Sequence, residues 1–361
     1  MKRKAISVGA LLLLAMLAAC GGIQPDSEIT QMETPPVEAG ITTSGRVESD
    51  EVWGGEILVT GDVEIPRGVT VRVQPGTTVR FTAQRDDQHS PEEYDPADES
   101  TMHMKLISIL VLGTLDAQGT SDSPILFISD NKATPGVDWE SVMIEGDGAV
   151  ILDHVMIGNS HLGIQLNSPT LSLSVKNTTF QDIDTCAICG HGARPALHGP
   201  VIITDSRFIR CGRESIDTYP DQNITVQDSI FAENYVGIMS VGSSITIEGN
   251  LFINNGRGIG IIESGTPSIT GNVFTQTQGA AIFITDASPL ITQNNLYANL
   301  FNLQLEGGSQ DVSAEDNWWG SSDPEAIGET IFDWNDDASL GVVDFEPYSD
   351  QAFDLDVPDY E

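Results

Sequence analysis

Positive charge is what this sequence has least of. It carries 16 Lys and Arg against 53 Asp and Glu in 361 residues, a formal net charge of −37. Three of the basic residues, Lys2, Arg3 and Lys4, open the chain, and the only later lysines are Lys105, Lys132 and Lys176. A surface of that sign repels phosphate backbones and anionic headgroups, which excludes nucleic acid as a partner. Polyanionic glycans are repelled too, unless cations bridge the two. An acid-rich, salt-adapted exterior accounts for the balance without any specific ion. Helical periodicity is nearly absent as well. Cysteine is sparse: of four, Cys186, Cys189 and Cys211 follow Cys20 as an odd set. Outside a reducing cytosol, one disulfide and one free thiol is the expectation for them.

What is present begins with an export signal. After the short basic stretch, Ile6 to Leu17 is apolar but too short for an ordinary membrane span. It ends in Leu17-Ala18-Ala19-Cys20, which resembles the lipobox of bacterial lipoproteins. That resemblance implies cleavage before Cys20 and a diacylglyceryl group on its sulfur. The chain is then exported and held by lipid, on the outer face of the cytoplasmic membrane or on the outer membrane. Gly22 rather than Asp follows at the second position, so the sorting rule of diderm bacteria does not argue for inner-membrane retention. From Gly21 to Ser44 the chain is polar and rich in Pro, Glu, Thr and Gly, a tether with too few apolar residues to pack.

The remainder is long enough for one large domain, and a repeat organises it. Units run Val150 to Met156, Val175 to Phe180, Ile203 to Phe208, Val226 to Phe231, Ile247 to Phe252, Ile269 to Phe274, Thr292 to Tyr297 and Ala314 to Trp319. Their last residues are 24, 28, 23, 21, 22, 23 and 22 positions apart. Three before each anchor stands Asp153, Asn177, Asp205, Asp228, Gly249, Gly271, Asn294 or Asp316. Those residue types tolerate the left-handed backbone region, so each unit predicts a strand, a tight bend and an inward apolar anchor. A second alternating strand follows, as in Gly163-Ile-Gln-Leu166 and Gly258-Ile-Gly-Ile261. Three short strands per unit describe one coil of a solenoid whose inward residues are buried only by stacking neighbours. Phe180, Phe208, Phe231, Phe252 and Phe274 should form one column, spaced by about 4.8 Å. Leucine-rich and pentapeptide solenoids fail on period.

These units resemble the right-handed parallel β-helix repeat family, related to pectate-lyase-like proteins. Ile57 to Phe81, Gly113 to Thr120, Pro124 to Phe127, Trp139, Asn317-Trp-Trp-Gly320 and Gly341 to Pro347 carry the likeness over residues 46–347. The expected architecture is all-β: a signal at 1–19, lipidated Cys20 and tether over 20–44, a β-helix over 45–347 and an acidic tail at 348–361. Residues 46–65 and 320–347 are expected to cap the ends, because open strand edges invite aggregation. The acidic stretch 84–100 and residues 190–199 read as excursions from the coils.

Chemistry on such a fold sits on outward strand positions. With Ile164, Ile188, Ile216, Ile238, Ile259, Ile282 and Leu303 inward, the outward row is Gln165, Cys189, Asp217, Met239, Gly260, Phe283 and Gln304. Two residues on lie Asn167, His191 and Tyr219. His191 and Asp217 are the candidate acid and base, with Arg213 beside them, and Gln165, Asn167, Glu214 and Tyr219 are candidate ligand contacts. A plain solvated strand face is the competing account. Gly190-His191-Gly192 is similar to a motif of polygalacturonase-type hydrolases. The Asn-Thr-Asp, Asp-Asp and Arg-Ile-Lys segments that accompany it there do not occur in suitable places, so the paired carboxylates are missing. Nor does a basic residue stand by a calcium-binding carboxylate cluster, as pectate-lyase-like catalysis needs.

Cys186, Cys189, His191, His198 and Cys211 leave three arrangements open: a bridge from Cys186 or Cys189 to Cys211, free thiols, or bound zinc. Cys211 aligns with Asn234 and Asn255 and can simply fill their ladder position. No cofactor is expected; calcium shared by Asp205 and Asp228 is compatible with the pattern but not required by it. The expected function is polysaccharide binding without catalysis, at a membrane through the lipid. A polysaccharide lyase or glycoside hydrolase with an atypical site is the first alternative, a surface scaffold or adhesin the second. Oligomeric state is not readable from the sequence.

Overall fold

The computed structural model describes residues 41–82, 106–131, 138–190 and 196–360. Three long parallel sheets run the length of the body. Sheet A has twelve strands, from Gly45–Arg46 to Ile331–Phe332; sheet B has ten, from Glu51–Trp53 to Leu290–Thr292; sheet C has ten, from Glu56–Val59 to Asn295–Tyr297. Within each sheet, neighbours come from successive coils, so the chain visits A, B and C once per turn. Short strands suffice because each is hydrogen-bonded on both sides and contributes one or two residues to a common interior.

Alternation decides which residues those are. Ile164, Ile188, Ile216, Ile238, Ile259, Ile282 and Leu303 are paired in register along sheet A and are all fully buried. On sheet C the phenylalanines stack as the repeat predicts. Centroids from Phe180 through Phe208, Phe231, Phe252 and Phe274 are 5.1, 4.8, 4.7 and 4.7 Å apart, with planes within 10°. Burying one such ring contributes about 1.5–3 kcal/mol. The column fits because the facing positions on sheet A are small: a Cβ on Gly237 would lie 2.9 Å from the Phe252 ring.

Two anchors are off by one. Ile157 and Leu296, not Met156 and Tyr297, pair with Phe180 and Phe274 and are buried. In a strand a slip of one residue moves the side chain to the other face, and Met156 and Tyr297 point outward. The bends shift with them. Positive φ falls at Asn177, Asp205, Asp228, Gly249, Gly271 and Asp316 as expected, but at His154 and Gln293 rather than Asp153 and Asn294.

Asn294 instead belongs to a buried polar ladder just after those bends. Asn250, Asn272, Asn294 and Asn317 each sit one coil from the next; the side-chain oxygens of Asn272, Asn294 and Asn317 each accept from the asparagine one coil before, and that of Asn250 accepts the Ser229 N–H. A second column, Cys211, Asn234 and Asn255, lines the bend between sheets C and A. These side chains satisfy the turn backbone that strand pairing leaves without partners.

The expected N-terminal cap is itself a coil. Residues 46–65 supply strands to all three sheets, and Trp53, Ile57, Val59, Val63 and Ile65 join the continuous core. Alternation continues to the first strand, so these residues extend the coils. Residues 320–347 do close the other end. A short helix, Pro324–Gly328, starts where Asp323 accepts the Glu325 N–H, and it buries Ile327; Leu340 and Val343 pack beside it. Among the described residues no helix is long and apolar enough to cross a membrane. The signal, Cys20, residues 21–40 of the tether expected over 20–44 and the stretch 84–100 lie outside the described residues.

Candidate functional site

The outward row on sheet A has the predicted register: Gln165, Cys189, Asp217, Met239, Gly260, Phe283 and Gln304 are successive partners. Asp217 is 4% exposed, and its carboxylate accepts the Gly190 N–H. Gln222, fully buried, donates to the Gly190 carbonyl at 3.2 Å and accepts the Tyr219 N–H at 2.9 Å. A Cβ at position 190 would lie 2.2 Å from Gln222 Oε1 and 3.0 Å from the Asp217 carbonyl oxygen, so a side chain there would displace the Gln222 amide from its bonds. Asp217 and Gln222 therefore grip the base of the 190–199 excursion, whose return is tied by Leu197 N–H to Asp221 O and His198 N–H to Pro169 O.

Arg213 is exposed, with Nη2 3.5 Å from Glu214 Oε1. Gln165, Asn167, Glu214 and Tyr219 are each half-buried along the same side. His191 lies outside the described residues.

One disulfide and one free thiol are present, as expected, but the bridge does not involve Cys211. Cys186 and Cys189 form a disulfide with Cα atoms 5.8 Å apart, and Cys211 is a buried free thiol. The sheet decides the partner. Cys186 and Cys189 stand on the outer side of sheet A, packed against Leu162, whereas Cys211 faces the interior in the asparagine column. Burial pushes the Cys211 thiol pKa up to about 12. With two of the sulfurs bonded to each other, the zinc reading of this loop loses its thiolates. Among the described residues no group of three or more His, Cys, Asp or Glu is placed to hold a metal ion.

Two features were missed by the reading of residue types. At the corner before sheet A, the buried Glu140 holds His161, with Nδ1 3.1 and 3.2 Å from its two carboxylate oxygens; Asp184 is 3.9 Å from Nε2. The three are 21 and 23 positions apart, one coil each, so the period of the repeat was the signal that could have found them.

Further along, the outside of sheet A turns aromatic. Phe283 lies over bare Gly260, where a Cβ would stand 2.2 Å from the ring and 2.8 Å from Met239 Sδ. The Arg257 guanidinium sits 4.4 Å above the Phe283 ring and reaches Glu306 Oε1 at 2.7 Å. Phe301 and Phe332 meet edge to face at 5.9 Å beside them. An outward apolar platform with a charged pair fixed on it can stack against the apolar faces of sugar rings while hydrogen-bonding their hydroxyls.

Stacked parallel strands, one continuous core and polar ladders at the bends define a solenoid of the right-handed parallel β-helix class. Residues 162–318 match the model of the family described as "Right handed beta helix region". No curated protein and no solved structure matched the chain.

Proposed function

We propose that this chain is an exported, lipid-anchored envelope β-helix that binds an extended polysaccharide along the outside of sheet A without cleaving it. The observation that carries the reading is the outward platform of Met239, Phe283, Phe301 and Phe332 with Arg257 and Glu306 across it. Phe283 is buried and Phe332 also packs on the main core, but Met239, Phe301 and Phe332 stay half-buried around them, and partly exposed apolar side chains grouped on an outer face have a use in contact with a ligand. Gln165, Asn167, Glu214 and Tyr219 extend the same side with hydrogen-bonding groups. Anchoring rests on the likeness of Leu17-Ala18-Ala19-Cys20 to a lipobox, and an acidic exterior favours neutral over polyanionic glycans.

One observation favours an enzyme as the second reading. A histidine oriented by a buried carboxylate, as His161 is by Glu140, is the arrangement of a general base. Both readings meet in one assay: the chain carrying Cys20→Ser, so that it stays in solution, is offered a panel of neutral and acidic polysaccharides with and without calcium. Retention on a polymer with no release of reducing ends or unsaturated uronate is the expected result. Release that disappears in His161→Ala would replace the binding reading by the enzyme. No retention on any polymer, from a folded sample, would remove both. Radiolabelled fatty acid incorporated into the wild-type chain but not into Cys20→Ser tests the anchor.

A further inference from the structure

The outside of sheet C is already a peptide-binding surface, and the chain's own end occupies half of it. Asn295 and the backbone of Phe353 exchange two hydrogen bonds, Phe353 N–H to Asn295 Oδ1 at 2.9 Å and Asn295 Nδ2 to Phe353 O at 3.0 Å. Three coils lower, the Tyr360 hydroxyl donates to Glu233 at 2.8 Å, and its ring lies 5.7 Å from the guanidinium of Arg207, one coil further down. Between these ties Leu355 and Val357 pack on Ile230, Leu251 and Val273, successive outward partners on sheet C. Seven residue steps at about 3.3 Å span about 23 Å, against about 19 Å for four inter-coil steps, so the segment is extended and crosses the strands. Its side chains alternate: Phe353, Leu355, Val357 and Tyr360 are half-buried, while Asp354, Asp356 and Asp359 are exposed.

The same face continues past Tyr360. Ile230, Arg207, Thr179, Met156 and Leu126 are successive partners along one outward row, with Ile209 in the row beside it. Here the face is concave, a groove of about 390 Å3 whose floor includes Leu126, Met156 and Ile209 and whose rim includes His154 and Arg207. No residue lining it is acidic, in a chain with 53 acidic and 16 basic residues. Arg207 belongs both to the seat of Tyr360 and to the groove.

We propose that this groove docks an extended segment of a partner protein, apolar at alternate positions with carboxylates between, laid in line with residues 353–360. Two observations choose that occupant. The groove repeats the surface that already holds such a segment, apolar rungs one coil apart, and its lining includes Arg207 and His154 (the latter beside Asp153) and no acidic residue. The proposal concerns a different face from the polysaccharide reading and stands or falls independently of it.

The probe is a labelled peptide with the sequence of residues 350–360, added to the full chain carrying Cys20→Ser, whose own segment is in place. Expected are saturable binding of one peptide per chain, weakening with salt, and cross-links from a photoreactive group at the peptide's Val357 position to 154–181 and 207–209. Met156→Glu and Ile209→Glu, both outward-pointing, should weaken binding about tenfold or more at an unchanged melting temperature, because each places a carboxylate on an apolar seat. Absence of binding overturns the proposal, as do cross-links confined to 230–275, which mean simple exchange with the chain's own segment. A dimer that the peptide dissolves reassigns the groove to a second copy and ends the claim for a partner. Cross-linking uses the wild-type surface, so it decides the matter even if a groove variant unfolds.

Discussion

Asn272 holds Asn250 twice through one oxygen: its Oδ1 accepts the Asn250 backbone N–H at 2.9 Å and the Asn250 Nδ2 at 3.0 Å. Its own amide nitrogen donates to the carbonyls of Ile247 and Thr270 and to Asn294 Oδ1, each at 3.0 Å. Asn272→Ala removes all of these at a fully buried site, where each polar group left without a partner costs about 1–3 kcal/mol. A loss of about 3 kcal/mol is expected, read as a lower urea midpoint. Ser229→Ala, which removes one donor to Gln227 O and one acceptor for Ser206 N–H, should cost roughly 1 kcal/mol. Equal effects would show that the ladder has no special place in stability.

Gly237 and Phe252 are coupled by space rather than by bonding. A Cβ at position 237 would meet the Phe252 ring at 2.9 and 3.0 Å and the Gly258 carbonyl at 2.7 Å. Gly237→Ala should therefore cost about 1–3 kcal/mol by overpacking. Phe252→Leu costs a similar amount by loss of buried ring, yet it vacates the space the new methyl needs. The double variant is expected to lose less than the two singles together, and strict additivity across the cycle would disprove the contact.

These pairs show how far the repeat could be read directly. Period two along each strand and a step near 22 along the chain placed the isoleucine and phenylalanine columns, because apolar and polar residues alternate cleanly there. The same logic failed at Val155-Met-Ile157 and Asn295-Leu-Tyr297, where two neighbouring side chains are both apolar and only the position of the bend tells them apart. Cys211 was aligned with the asparagines, yet the bridge between Cys186 and Cys189 could not be read, since pairing depends on which side of sheet A each sulfur occupies. Asp217 looked catalytic by type; its bond to Gly190 joins residues 27 apart through a loop that departs from the repeat. Residues 353–360 lie outside the repeat, and their hold on sheet C follows from outward side chains that no inward pattern describes.

Two carboxylates should give opposite pH behaviour. Asp182 is held below its ordinary value of 3.8 by a hydrogen bond from Arg210, against some desolvation. A lowered folded-state pKa contributes stability above the unfolded value that is lost as pH falls through the folded one. Arg210→Gln should thus be less stable than wild type near neutrality, by no more than about 1 kcal/mol for so exposed a pair, with the gap closing below about pH 4. Asp228 is raised instead, by burial first and then by Asp205, Glu248 and Asp356. Its favourable contribution is complete below the unfolded value and lost as pH rises through the folded one. Asp228→Asn, which keeps a residue suited to the φ of 50° found there, should stabilise the chain at pH 7 and have no effect near pH 3. Melting curves at the two pH values read both; a gain for Asp228→Asn that persists at pH 3 would point to a cause other than charge.

Docking of residues 353–360 carries its own pH signature. The Tyr360 hydroxyl is raised above 10.0, first by its hydrogen bond to Glu233 and then by burial. A proton that the folded state holds more tightly contributes stability that is lost as pH rises through the folded value. The segment should therefore loosen in alkali, above the ordinary tyrosine range, while the coils stay intact. Tyr360→Phe removes the bond and with it the dependence. Hydrogen exchange at the Phe353 amide, which Asn295 protects, reports the release without reference to any ligand. In wild type its protection relative to Tyr360→Phe should fall as the phenol ionises. A protection ratio constant from pH 8 to 11 would mean that the hydroxyl bond does not help hold the segment down.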